Sequence, residues 1–249
     1  MTVQDKKATT LPKDLNPKQM PRHVAVIMDG NGRWAQRRGL ARLFGHRQGA
    51  IALRNLVACC SEWGIGTVTA YAFSTENWGR PQTEVNFLME LFNEYVLQET
   101  ASMMQNGIRL RVVGDMGQLP TRLQDNLQAA IDRTRHNTNI ELIMALNYSG
   151  RQEITQACRH IATQVQQGKL APEDINDDLF GRYLFTQGVS DPDLLIRTSG
   201  EMRISNFLLW QLAYTEIYVT PTLWPDFDRS EFHQALCDYQ KRQRRFGKL

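Results

Sequence analysis

Short apolar runs alternate with segments of helical period along most of the chain, and this alternation limits the fold more than any other feature. His23-Val-Ala-Val-Ile-Met-Asp29 is an apolar run ending on an acid, the pattern of a strand buried on both faces. Ala50, Leu53, Val57 and Cys60 then recur at helical spacing, with Gly64 as a stop. Thr67 to Phe73 is rich in Val, Thr, Tyr and Phe and predicts a second strand. Pro81 opens a long helix with the stripe Val85, Leu88, Phe92, Tyr95 and Val96. Four more strands are predicted, at Ile108–Gly114, Ile140–Asn147, Leu194–Thr198 and Ile217–Thr220. Thr121 to Gln124 has capping-box form ahead of Leu127 and Ile131, and Ile154, Cys158, Ile161 and Val165 mark another helix. A basic helix from about Arg229 to Arg245 closes the chain. Such a pattern predicts an α/β domain with a mostly parallel central sheet flanked by helices, and ligands bound beyond the carboxyl ends of its strands.

Composition narrows the class. The 249 residues suit one domain with its own core, and 42% hydrophobic with 22% charged residues excludes a disordered chain. A net charge of +3 argues against a nucleic-acid-binding module. No apolar run approaches the ~20 residues a membrane span needs, and Met1 to Met20 lacks the apolar core of a secretory signal. Cys59, Cys60, Cys158 and Cys237 form no CxxC pair, so buried reduced thiols and a cytoplasmic setting are expected. Pro12, Pro17 and Pro21 break a polar stretch, which predicts a mobile tail over residues 1–20 and a catalytic domain over 21–249.

The chemistry should lie in three segments at predicted strand ends. Asp29-Gly30-Asn31-Gly32-Arg33-Trp34 follows the first strand, where two glycines permit a tight turn and close approach to a ligand. Gly30-x-Gly32-x-x-Ala35 meets a loose dinucleotide fingerprint, but the next strand lacks a terminal acid for a ribose. No GxxxxGK[ST] loop occurs, which disfavours a nucleotide-dependent enzyme. Arg33, Arg37, Arg38, Arg42 and Arg47 crowd the following stretch, and guanidinium forks match phosphate oxygens. Arg33 and Arg42 are expected to face inward, and His46 is either a structural histidine or a phosphate donor. Asp29 among these cations suits a hard divalent ion better than a turn cap. Phe73 to Pro81 gathers Ser74, Thr75, Asn77, Trp78 and Arg80 into a loop that is catalytic or merely caps a helix. Arg197, Arg203 and Ser205 surround a glycine and look like a second anion cradle. Glu216 reads either as a metal ligand or as an interface salt-bridge partner.

These segments resemble the cis-prenyltransferase family. The likeness is carried by His23 to Ala35, Gly45-His46-x-x-Gly49, Tyr71 to Pro81, Asp193 to Gln211 and Trp224-Pro-Asp-Phe227, and it spans about residues 21 to 247. The DDxxD motif of the all-helical trans-prenyltransferases is absent.

The resemblance implies Mg²⁺-dependent, sequential cis-condensation of isopentenyl diphosphate with an allylic diphosphate (farnesyl or geranylgeranyl), giving a long polyprenyl diphosphate such as undecaprenyl diphosphate. It implies that Asp29 is the essential acid holding Mg²⁺, with Glu216 as a further ligand. The allylic site would comprise Gly30, Asn31, Gly32, Arg33, Arg42 and His46, with Trp34 beside them. Asn77 would serve proton removal, with Ser74, Thr75, Glu76, Trp78 and Arg80 in the same loop. Arg197, Arg203, Ile204 and Ser205 would cradle isopentenyl diphosphate. A homodimer is implied, with Phe207 to Tyr214 as an interface segment, and transient membrane contact on product release. An apolar tunnel is expected between the sheet and helix 81–104, near Leu88, Leu91, Phe92, Ile108 and Leu110. A non-catalytic partner subunit of the same family is the remaining alternative.

Overall fold

The computed structural model describes residues 11–242. Its centre is a six-stranded, all-parallel sheet in the order β3-β4-β2-β1-β5-β6. The strands are β1 (His23–Ile27), β2 (Thr67–Ser74), β3 (Ile108–Val113), β4 (Ile140–Tyr148), β5 (Leu194–Arg197) and β6 (Glu216–Val219). The helices are α1 (Asn31–Arg37), α2 (Arg42–Glu62), α3 (Gln82–Asn106), α4 (Thr121–Thr134), α5 (Gly150–Gln166), α6 (Asp177–Gly181) and α7 (Arg229–Lys241). Every β1 residue is buried, as its unbroken apolar run requires. Val24 and Val26 join the core cluster that also holds residues of α2, α3, α4 and α7. Ala25 and Ile27 join the opposite cluster with Phe207 and Leu208.

Strand order reverses at β1. From there the chain builds outward through β2 on one side and, later, through β5 and β6 on the other. Helices on opposite faces diverge at such a point and leave a crevice past the strand ends. Asp29 and Thr198 follow the two strands that flank this reversal.

Backbone irregularity gathers at the same rim. Asn147, Ser199, Ser205, Asn206 and Leu208, all with positive φ, lie at or after the carboxyl ends of β4 and β5. Each such residue costs on the order of 1 kcal/mol or more, and such costs concentrate at functional sites. The β2–β4 pairing also slips at Tyr71, Phe73 and Ser74, just before the Ser74–Arg80 loop.

Several expectations change. Residues 1–10 of the predicted tail lie outside the described residues, but 11–20 are not a tail. Leu15 is buried, Pro17–Gln19 forms a 3-10 turn, and Asn16 exchanges two hydrogen bonds with Gln240 of α7. The three prolines break a polar stretch without preventing its packing. Thr121 begins α4 but does not cap it, because Pro120 holds the N-cap position. The buried face of α5 is Glu153, Ala157 and Ile161, which leaves Cys158 exposed, so only Cys59 and Cys60 are the buried thiols foreseen. Phe207 and Leu208 belong to the core, and within the Phe207–Tyr214 segment the exposed aromatics are Trp210 and Tyr214. The basic run beyond Arg242 lies outside the described residues.

Candidate active site

Asp29 stands two residues past β1, held by its backbone. Its N–H donates to Thr198 Oγ1 at 3.1 Å. Its carbonyl accepts from Thr198 Oγ1 at 2.7 Å, Ser199 Oγ at 2.9 Å and the Trp224 N–H at 3.0 Å. Gly30 follows with φ +105°, and a Cβ there would collide with Ser199 Oγ and Leu223. Only glycine lets the chain turn this close to the β5 loop.

The Asp29 carboxylate bridges two guanidinium groups. Arg197 Nη2 donates to Oδ2 at 2.9 Å, and Arg33 Nη2 to Oδ1 at 3.0 Å. Burial alone would raise this carboxyl, but the hydrogen bonds and charges of Arg197 and Arg33 outweigh it and hold the group below its usual range. Asp29 is therefore ionised at neutral pH. Arg197 is almost fully buried, and its Nη1 donates to Ser205 Oγ at 2.8 Å and to the Arg203 carbonyl. Arg33 continues to Glu201 at 3.1 Å, and Glu201 pairs with Arg203 at 2.5 Å. Asp29, Arg33, Arg197, Arg203 and Ser205, expected in two cradles, thus form one continuous network through Glu201. Ile204 packs its side chain into the core cluster below.

A second ionic cluster lies across the crevice. Arg42 and His46 project from α2, and Arg80 precedes α3. All three converge on the side chain of Glu84, at 3.3, 3.4 and 3.0 Å. Burial would raise the Glu84 carboxyl, but Arg42, Arg80 and His46 hold it low. Burial lowers the His46 pKa, and Glu84 only partly opposes that. Glu84 is a residue the sequence reading missed; its place four residues after Arg80, in the first turn of α3, was the available signal.

Asn31, Gly32 and Trp34 lie on α1. Asn31 Nδ2 donates to the Met28 carbonyl at 3.2 Å, while its buried Oδ1 has no hydrogen-bond partner. A Cβ at Gly49 of α2 would strike that oxygen, so glycine there admits the Asn31 amide. Gly32 lies under the Arg42 guanidinium. Trp34 turns outward instead, donating to Asp226 at 2.6 Å beneath the Arg38 guanidinium.

The Ser74–Arg80 loop is fastened by its own side chains. Asn77 Oδ1 accepts from the Ser74 N–H at 3.1 Å. Trp78 Nε1 donates to Asn147 at 2.8 Å, and its ring meets Phe73 edge-on. Glu76 accepts from Asn206 at 2.9 Å, which ties this loop to the Arg203–Ser205 segment. Thr75 opens the 3-10 turn, Ser74 holds its N-cap position and Asn77 completes the capping box. The capping role and placement at the rim therefore coexist in one loop.

Glu216 is elsewhere. It pairs in register with Leu194, which is itself level with Val24, at the amino end of the sheet. At about 3.3 Å per residue along the strands and about 4.8 Å between them, this puts it on the order of 20 Å from Asp29. It accepts from Arg242 at 3.0 Å. Within one chain, the two acids expected to share a metal are not brought together.

An apolar slot runs down from the rim between α2, α3 and the sheet. Its lining includes Asn31 of α1, His46 of the Glu84 cluster, Ala50 and Leu53 of α2, Leu88, Leu91, Phe92 and Tyr95 of α3, and Ala72 and Met144 of the sheet. Leu88, Leu91 and Phe92 are where the tunnel was expected. Ile108 and Leu110 do not line it: β3 is an edge strand, and Leu110 is closed into the core.

The donor set suits a hard cation. A partly exposed, ionised carboxylate at the head of an arginine-lined crevice is the oxygen ligand that Mg²⁺ takes together with substrate phosphates.

Comparison with known proteins finds relatives along nearly the whole chain. Residues 27–247 match the family model described as "Putative undecaprenyl diphosphate synthase". An isoprenyl transferase of Heliobacterium mobile is 52% identical over 95% of this chain and 91% of its own length. A ditrans,polycis-undecaprenyl-diphosphate synthase of Coxiella burnetii, specific for (2E,6E)-farnesyl diphosphate, is 51% identical over 92% of this chain and 96% of its own. The crystal structure of lavandulyl diphosphate synthase from Lavandula x intermedia, in complex with dimethylallyl diphosphate, superimposes with a TM-score of 0.90 at 38% identity, covering 93% of this chain and all of that one.

Proposed function

The chain belongs to the undecaprenyl diphosphate synthase family of cis-prenyltransferases, and from that premise we propose that it extends an allylic diphosphate with isopentenyl diphosphate, repeatedly and with Mg²⁺, to a long polyprenyl diphosphate. The observation that carries this reading is the junction of two unlike environments. The ionised Asp29, set between Arg33 and Arg197, lies between Met28 and Asn31 in the chain, and both of these line an apolar slot together with His46 of the Glu84 cluster. A diphosphate with a hydrocarbon tail needs both.

The chemistry follows from the charges. The C–O bond of the allylic diphosphate breaks, a C–C bond forms to isopentenyl diphosphate, and one proton leaves. Negative charge grows on the departing diphosphate. Arginines already oriented by carboxylates stabilise that charge without reorganising, and one such contact is worth roughly 2.7–4 kcal/mol of barrier. Mg²⁺, held by Asp29 when bound, supplies Lewis-acid stabilisation of the same oxygens. Arg33, Arg42 and His46 face the allylic diphosphate in this assignment, and Arg197, Arg203 and Ser205 the isopentenyl diphosphate. Glu201, which joins Arg33 to Arg203, yields its partners as the phosphates arrive. Asn77 is a neutral amide already accepting a backbone hydrogen bond, so it directs the proton to water or phosphate rather than taking it.

The chain grows down the slot, and Leu88 sets how far. Leu88→Trp should shorten the product distribution, read by chromatography of extracted lipid; an unchanged distribution would place the tunnel elsewhere. No helix among the described residues is long and apolar enough to cross a membrane. We assign the enzyme to the cytoplasm, with transient membrane contact when product leaves. A homodimer is proposed through the open β6 edge, where Trp210, Tyr214 and Ile217 are exposed. Only a second copy could then bring a Glu216 towards Asp29. The test of the whole reading is incubation with farnesyl diphosphate, labelled isopentenyl diphosphate and Mg²⁺. Label should enter a long-chain lipid and cease to do so with chelator; no incorporation with Mg²⁺ present would end the proposal.

A further inference from the structure

On the far side of the α2 face, away from the crevice, three side chains of different chemistry meet. His233 and Cys237 lie one turn apart on α7, and Asp14 comes from the N-terminal segment, 219 residues from His233 in sequence. His233 Nε2 is 3.0 Å from Asp14 Oδ2, Cys237 Sγ is 3.5 Å from His233 Nε2, and Cys237 Sγ is 3.6 Å from Asp14 Oδ2.

These separations have a specific meaning. Zinc bonds of about 2.3 Å to sulfur, about 2.05 Å to nitrogen and about 2.1 Å to oxygen, at tetrahedral angles, require S···N and S···O edges of about 3.6 Å and an N···O edge of about 3.4 Å. Two of the three edges already match, and the third needs a few tenths of an ångström from Asp14, whose exposed side chain is free to give it. We propose that Asp14, His233 and Cys237 form a zinc site, with water as the fourth ligand, that clasps the N-terminal segment to α7.

The ligands are held in place by contacts that do not involve a metal. Leu15 is buried in the core next to Asp14, and Asn16 is paired twice with Gln240. The His233 ring stands edge-on to Trp63, which stacks on Phe232 and lies under Arg229. Charge also balances: a carboxylate and a thiolate neutralise a divalent ion, while imidazole adds none. Burial and the Asp14 carboxylate raise the Cys237 thiol, so coordination releases one proton from it. Sulfur and imidazole select Zn²⁺ over Mg²⁺, which separates this site from the oxygen-ligated one at Asp29.

Cobalt titration of the chelator-treated full chain tests the proposal. One equivalent of Co²⁺ should give a thiolate-to-cobalt charge-transfer band with the visible bands of four-coordinate cobalt. Zn²⁺ should erase them and excess Mg²⁺ should not. Cys237→Ser should lose the charge-transfer band, and His233→Ala should weaken binding by at least about tenfold, the lower range even for outer-sphere changes at such sites. Cys158→Ser, which alters the exposed thiol on α5, should change neither. Zn²⁺ should also raise the unfolding midpoint of the parent chain but not of Cys237→Ser. Absence of the band in the parent chain, its survival in Cys237→Ser, or displacement by Mg²⁺ would each overturn the site and leave a plain hydrogen-bonded triad. None of these outcomes bears on prenyl transfer.

Discussion

Asp29 and Glu84 both gather cations at the mouth of the crevice, yet they do so differently. Asp29 keeps 27% of its side-chain surface exposed and orders one buried arginine, Arg197, and one half-open one, Arg33. Glu84 is 10% exposed and anchors a largely buried histidine, His46, with Arg42 half-open beside it. Each carboxylate therefore holds a fixed partner and a movable one: buried Arg197 and half-open Arg33 on Asp29, largely buried His46, neutral at working pH, and half-open Arg42 on Glu84. In the proposed function the fixed member sets where a phosphate would sit and the movable one would rotate onto it. What separates the pair is access: Asp29 faces the crevice and can itself meet a metal, whereas Glu84 is closed in by its partners and acts only through them.

The sharpest way to break this comparison is at Asp29. Asp29→Ala should cut kcat/KM by at least about 100-fold, the scale of losing one preorganised electrostatic contact, with the circular dichroism spectrum intact. Near-native kinetics would show that its exposure serves no chemistry.

The next contrast lies between the two arginines on Asp29. Arg197→Ala removes a buried partner and should lower unfolding free energy by roughly 3 kcal/mol or more in urea titrations. Arg33→Ala removes a half-exposed one and should cost within about 1 kcal/mol. Both should slow turnover. Equal stability losses would dissolve the distinction between fixed and movable members.

Glu84→Gln keeps the shape but frees Arg42, His46 and Arg80 from a common charge. A severalfold rise in KM for the allylic diphosphate is expected, with kcat less affected, because Glu84 positions rather than reacts. A fall in kcat as large as that of Asp29→Ala would assign Glu84 a direct role.

The smallest effect is with pH. His46 has its pKa depressed in the folded chain, so below its ordinary 6.5 the unfolded chain binds more protons than the folded one. Its contribution to stability is complete above that pH and declines as pH falls. Asp29 and Glu84, held below their ordinary 3.8 and 4.5, keep their contributions down to those values and lose them only in stronger acid. Nuclear magnetic resonance titration of the His46 ring should give a midpoint below 6.5; one above it would mean that Glu84 dominates burial.

Much of this was legible in the residues. The unbroken apolar run of β1, the strand–helix alternation and the glycines beside Asp29 are local signals, written within a few positions of one another. The expectation that Arg33 and Arg42 face inward rested on the same locality; each meets a carboxylate, but their side chains stay 41% and 50% exposed. Other features were illegible for a physical reason. Trp34 faces outward because its partner, Asp226, lies 192 residues away. The slot falls against α2 and the central strands, not β3, because strand order places β3 at the edge.

The sequence by itself determined the parallel α/β architecture, the family and the candidate segments for the chemistry, since periodicity and contiguous motifs need no knowledge of distant contacts. Only the tertiary structure decided that Glu84 gathers two arginines and a histidine, that Glu216 stands at the opposite end of the sheet, and that Asp14 reaches His233 and Cys237. Each of these depends on strand order and on helices crossing the sheet, and a chain's local pattern does not encode which distant positions that crossing brings within bonding range.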